Sequence, residues 1–261
     1  MTEEEILNAL HYWTGRIGSQ QDYNALVDWL TPILSRENRM SPGLNETIWQ
    51  LVSLRREYPD LGRQRWAWSK LATAFISERS LELSRLLLYL ADTDQLTISR
   101  SDQEAILLAE CAQVHGDAVW ADVAERVLSG SWRLQMELRG WFLSRIAPDV
   151  VRTWVSSDVQ RARVAASMTP VGEERPTEIA RFLLDKFGDD RDVASSLYAT
   201  LVSGFWMGNE SERITRQIEQ LNTWRRHRDE PVGVRKWARE TISSLERNRQ
   251  AVSQREAETQ F

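Results

Sequence analysis

Cysteine is almost missing from this chain: Cys111 is the only one in 261 residues. No intrachain disulfide can form, and a zinc site built on several thiolates is excluded. A lone thiol suits a reducing compartment. Proline and glycine are also scarce, at seven and twelve. An all-β fold needs turn residues about every ten positions, so this scarcity argues against one, and against disorder as well. Only three histidines occur, His11, His115 and His227, and none belongs to an H-E-x-x-H pair. The glycine patterns that cradle phosphates, G-x-x-x-x-G-K-[ST] and G-x-G-x-x-G, are absent. The longest dense apolar run, Leu86 to Ala91, is far too short to span a bilayer. The acidic opening, Met1-Thr2-Glu3-Glu4-Glu5, has neither the basic nor the apolar region of a signal peptide. The expected location is the cytoplasm, with no membrane partner.

Positive charge is in deficit too. Lysine and arginine total 33 against 38 acids, a net charge of −5. A general nucleic-acid binder is expected to be basic, because phosphate contact drives its affinity.

What the chain does have is tryptophan and helical periodicity. Twelve tryptophans favour a core rich in aromatic anchors. Trp13, Trp29, Trp49, Trp120, Trp141 and Trp154 lie in apolar helical patterns and are expected mostly in the core. Trp66 and Trp68 do not share a face. Tyr23, Leu26, Val27, Leu30, Ile33 and Leu34 fall on one face of a helix, with Pro32 placed to kink it. No segment alternates as a strand does. The pattern predicts about fourteen helices, at 3–15, 20–36, 45–58, 63–77, 80–92, 101–114, 117–129, 131–146, 149–156, 159–169, 176–187, 191–205, 209–228 and 232–255. Ser41-Pro42-Gly43 breaks a helix, and Asn45 can cap the next. Tyr58 to Gly62 reads as a turn. Ser101 with Glu104 has capping-box spacing. Gly116, Gly130, Gly172 and Gly188 stand where helices should stop.

Short helices on short links predict an all-α solenoid of antiparallel helix pairs. Its expected parts are an N-terminal helical part at 1–148, repeats at 149–247 and a polar fraying tail at 248–261. The repeat signal is an acidic or proline turn, then a valine, then a small residue. It occurs from Asp158 through Val159 to Ala166, from Asp190 to Ala194, and from Pro231 through Val234 to Ala238. The valine is expected inside, and the alanine should allow close helix approach. Over 149–245 this resembles HEAT and armadillo-like repeats. The ending from Lys186 also resembles the C-terminal helical repeats of large bacterial NTPases linked to anti-phage defence. That stretch includes Ser203 to Ser211, Gln217 to Trp224 and Val234 to Glu240. The resemblance implies a subunit or solenoid of a defence complex, with an NTPase subunit, a nuclease subunit or a phage protein as partner.

No catalytic constellation emerges. Cys111 and His115 share helical i,i+4 spacing, but a buried cysteine beside a helix-end histidine explains them better. Asp189-Asp190 and Glu173-Glu174 are adjacent, and so read as turn or capping groups rather than an acid/base pair facing one cleft. The best charged feature is basic: Arg225, Arg226 and Arg228 close one helix, and Arg235, Lys236 and Arg239 open the next. They could bind an anionic partner. The competing reading has Asp229, Glu230 and Glu240 neutralise them while the arginines complement a helix dipole. Trp206, beside a glycine-rich turn, is the candidate exposed anchor. The expectation is a non-catalytic, cofactor-free scaffold for another protein. The alternative is a HEAT-like DNA glycosylase or another DNA-binding helical-repeat protein, a reading the acidic balance opposes.

Overall fold

The computed structural model describes residues 2–34, 41–58, 60, 64–93, 102–203 and 209–259. Among them every regular element is helical, and no strand occurs. The α-helices are α1 (Glu3–Thr14), α2 (Gln20–Leu34), α3 (Pro42–Ser53), α4 (Arg65–Thr73), α5 (Ile76–Asp92), α6 (Gln103–Val114) and α7 (Gly116–Leu128). They continue as α8 (Trp132–Leu138), α9 (Pro148–Val155), α10 (Val159–Met168), α11 (Glu178–Phe187), α12 (Arg191–Val202), α13 (Glu210–Arg226) and α14 (Val232–Thr259). None is long and apolar enough to cross a membrane.

The chain divides into two compact units. One comprises Met1–Val123 with Ser131–Glu137; the other comprises Ala124–Gly130 with Leu138–Phe261. The division therefore falls within α7 and α8, upstream of residue 149.

In the first unit α1 packs on α3, α2 on α4, and α6 on both α4 and α5. Tyr23, Leu30, Ile48, Leu51, Trp68, Leu87 and Leu108 are fully buried among these helices. Each such side chain stabilises the fold by about 1.5–3 kcal/mol relative to exposure. An ionic cluster sits beside this core. Arg55 donates to Glu104 at 3.0 Å, and its guanidinium lies 4.0 Å from the centroid of the Trp68 ring. Arg65 also holds Glu104, at 2.6 Å. Glu104 was the expected third residue of a capping box with Ser101, which lies outside the described residues. Its side chain is instead wholly buried in this cluster.

In the second unit the helices stack as hairpins. α9 and α10 pack together and on α11; α10 packs on α12, α11 on α14, and α13 on α14. Charged pairs tie each hairpin to the next. Arg152 of α9 reaches Glu178 of α11 at 3.2 Å. Arg163 of α10 grips Asp190, at the head of α12, with Nε at 3.1 Å and Nη2 at 2.7 Å. The acids of the repeat signal are N-caps: Asp158 accepts from the Gln160 and Arg161 amides, and Asp190 from those of Asp192 and Val193. Val193 and Val234 are buried as expected, whereas Val159 is 36% exposed. In α10 the inward positions belong to Ala162, Val164 and Ala165.

Several expectations need correction. Ser41 caps α3 itself, accepting from the Leu44 amide, and Pro42 occupies the first turn, where its missing N–H costs nothing. The span 131–146 is not one helix. α8 stops at Leu138, Gly140 takes φ +75°, and a 3-10 turn follows at Phe142–Arg145. Gly116 opens α7 rather than closing α6. Trp13 is 53% exposed, while Trp68, Trp120, Trp141, Trp224 and Trp237 are buried. The polar stretch from 248, expected as a fraying helix, is helical to Thr259. Val252 is buried there, and Glu256 accepts from the Ser211 hydroxyl at 2.6 Å.

Candidate functional site

The α13–α14 turn carries the basic cluster, and the second unit holds it in place through tryptophan. Trp224, in the last turn of α13, stacks on Trp237 of α14 with centroids 6.4 Å apart. Trp224 Nε1 donates to the Glu174 carbonyl at 3.0 Å, and Trp237 Nε1 donates to that of Ala194 at 3.2 Å. Buried indoles whose N–H groups are satisfied fix position as well as adding apolar area. Gln220 donates to the Gly172 carbonyl at 2.7 Å. Gly172 takes φ +98°, and a β-carbon there would strike the Arg175 carbonyl, so this loop needs glycine. At Gly233 the first turn of α14 runs so close to the Leu184 carbonyl that no β-carbon fits.

Against this frame the acids of the turn are diverted from the arginines beside them. Glu230 has a fully buried side chain and accepts from Arg181 of α11 at 2.8 Å. Asp229 meets Arg175 at 3.3 Å and His227 at 3.6 Å. A backbone hydrogen bond, followed by the charges of Arg175 and His227, holds the Asp229 carboxyl below its ordinary range. Asp189 takes Lys236 at 2.6 Å, and Glu240 adds to the negative field on the same ammonium. Hydrogen bonding to Asp189 is the main reason the Lys236 ammonium is raised.

Arg225, Arg226, Arg228 and Arg239 are exposed, and Arg235 is half-buried. Among the described residues, no side-chain hydrogen bond or ion pair engages these five guanidinium groups. The structure thus brings Arg225, Arg226, Arg228 and Arg235 to one turn with their charges open. It sends Lys236 away toward the α11–α12 link. Asp229 and Glu230 pair instead with Arg175 and Arg181, in α11 and the loop before it. Trp206 lies outside the described residues.

The remaining chemical candidates resolve simply. Cys111 is buried, and burial pushes its thiol up to about 12, so no thiolate forms near neutral pH. His115 is the exposed C-terminal cap of α6. Asp190 is a helix cap and Asp189 an ion-pair partner, so the adjacent acids do not face a common cleft. Among the described residues no group of three or more His, Cys, Asp and Glu side chains could hold a metal ion.

Sequence reasoning missed a cleft in the first unit lined by Trp13, Arg16, Ile17, Asp22, Ala25, Leu26 and Trp29. Its signal was present as residue type, but helical periodicity assigned both tryptophans to the core.

No family model, curated protein or solved structure matches the chain.

Proposed function

We propose that the chain is a HEAT-like helical solenoid acting as a non-catalytic protein-binding scaffold, and that it docks an acidic surface of a partner protein on the α13–α14 turn. The observation that carries this reading is the diversion of Asp229 and Glu230 away from Arg225, Arg226 and Arg228. Here the acids brace the frame, and the arginine forks face outward, in the geometry that recognises carboxylates. The hairpin stacking of α9 to α14 suits a solenoid, whose curved surface serves recognition. The resemblance of the chain's ending supports a partner from a bacterial defence complex: an NTPase subunit, a nuclease subunit or a phage protein.

The test is a pull-down from native cells with the tagged chain and with an Arg225→Glu/Arg226→Glu variant. The wild type is expected to retain a stoichiometric acidic protein. The variant should lose at least about tenfold of that binding, with an unchanged circular-dichroism melt. Raising the salt should weaken the wild-type complex. Equal retention by both chains would sink the docking site. Duplex-DNA binding with a steep salt slope, in place of a protein partner, would overturn the scaffold reading.

A further inference from the structure

The cleft in the first unit has a chemistry of its own, independent of the basic turn. It is an open cleft of about 330 Å³, near the lower end of small-molecule sites, which start at about 300 Å³. α2 supplies Asp22, Ala25, Leu26 and Trp29, spaced i, i+3, i+4 and i+7 along one face. From Asp22 to Trp29 that face runs about 10 Å. Trp13, in the last turn of α1, and Arg16 and Ile17, in the link, complete the wall. α1 packs on α3 and α2 on α4, which leaves this space between them. The lining therefore has two indoles, an aliphatic floor and one charge of each sign.

The two charges are not spent on each other. The Arg16 guanidinium lies 3.7 Å from the centroid of the Tyr12 ring and, among the described residues, has no ion-pair partner. The Asp22 carboxylate accepts from the Ser19 hydroxyl at 2.8 Å and the Gly18 amide at 3.3 Å through one oxygen, Oδ2, and, among the described residues, meets no cation. An aromatic wall with a guanidinium and a carboxylate that, among the described residues, have no ion-pair partner complements one chemical class. The geometry points to a binding site for a free aromatic α-amino acid. Its ring lies against Trp13 and Trp29, its carboxylate on Arg16 and its ammonium on Asp22.

Isothermal titration of the full chain with four indoles tests this. L-tryptophan carries both charges, indole-3-propionate only the carboxylate, tryptamine only the ammonium, and N-acetyltryptophanamide neither. L-tryptophan is expected to bind tightest and the amide weakest. Arg16→Gln should weaken L-tryptophan and indole-3-propionate about tenfold and leave tryptamine unchanged. Asp22→Asn should weaken L-tryptophan and tryptamine and leave indole-3-propionate unchanged. Because Asp22 also holds the α1–α2 link, the ranking of ligands within each variant is the readout, not the absolute affinity. Ala25→Phe, at an exposed position, fills the floor and should abolish binding of all four. Absence of L-tryptophan binding to the wild type, equal binding of all four, or binding that survives Ala25→Phe would each overturn the assignment.

Discussion

Glu104 shows how one buried residue can carry a disproportionate share of the fold. Its carboxylate is inaccessible and accepts from both Arg55 and Arg65. The Arg55 side chain is itself only 2% exposed, and its Nε and Nη1 are buried without a hydrogen-bond partner among the described residues. Burial pulls the Arg55 guanidinium down from its ordinary range, while Glu104 pushes it back up. Removing the carboxylate's charge leaves a buried cation uncompensated, which costs about 3–5 kcal/mol. Glu104→Gln should therefore reduce the unfolding free energy by about 3 kcal/mol in urea titrations. A loss below about 1 kcal/mol would mean that solvent already reaches the cluster. Nothing in the spacing of Arg55, Arg65 and Glu104 along the chain announces this meeting. Helix-start patterning suggested a different task for Glu104, because capping boxes and buried ion pairs draw on the same residue types.

At the scale of the helix, the ends obey local chemistry. The Thr2 hydroxyl and Glu5 carboxylate make a reciprocal capping box on α1. Asp158, Thr177 and Asp190 cap α10, α11 and α12 through their side chains. Asp158 and Asp190 each head the second helix of a hairpin and supply the physical content of two of the three instances of the repeat signal. Asp158→Ala should destabilise the chain by about 1 kcal/mol, and Asp158→Asn by much less, in matched thermal melts. Equal losses in the two variants would show that charge, not the cap hydrogen bonds, does the stabilising. Interruptions inside helical patterns were harder to place. The end of α8 at Leu138 depends on Gly140 adopting φ +75° and on its amide donating to the Met168 carbonyl at 3.1 Å. That bond spans 28 residues, so apolar spacing alone could not announce it.

Across the whole molecule, carboxyls held below their ordinary titration range shape the response to acid. Glu3 is lowered by its hydrogen bonds from Ser41, Asp189 by Lys236, Asp190 by Arg163 and Glu256 by Ser211. A carboxyl lowered in the folded state contributes stability above its unfolded value. That contribution disappears as the pH falls through the folded value. The melting temperature should be nearly flat from neutral pH down to about 5 and fall below about 4. In Asp190→Asn the acid-side drop should be shallower, because one of the depressed groups is gone. A drop that begins near pH 6 in the wild type would contradict this assignment.

The amino-acid sequence alone determined the all-helical class, close bounds for most helices and the basic composition of the α13–α14 turn. These depend on neighbours three or four residues apart and on caps and breakers within one turn, interactions that the order of residues states directly. Only the tertiary structure decided which acids reach which arginines, since Arg181 meets Glu230 across a separation of 49 residues. It also decided which tryptophans go inside: of those expected in the core, Trp120 and Trp141 are buried, Trp29, Trp49 and Trp154 half-buried, and Trp13 is 53% exposed, although all lie in or beside helices with apolar faces. Burial depends on what packs against a face, and that partner is chosen by contacts far apart in the chain.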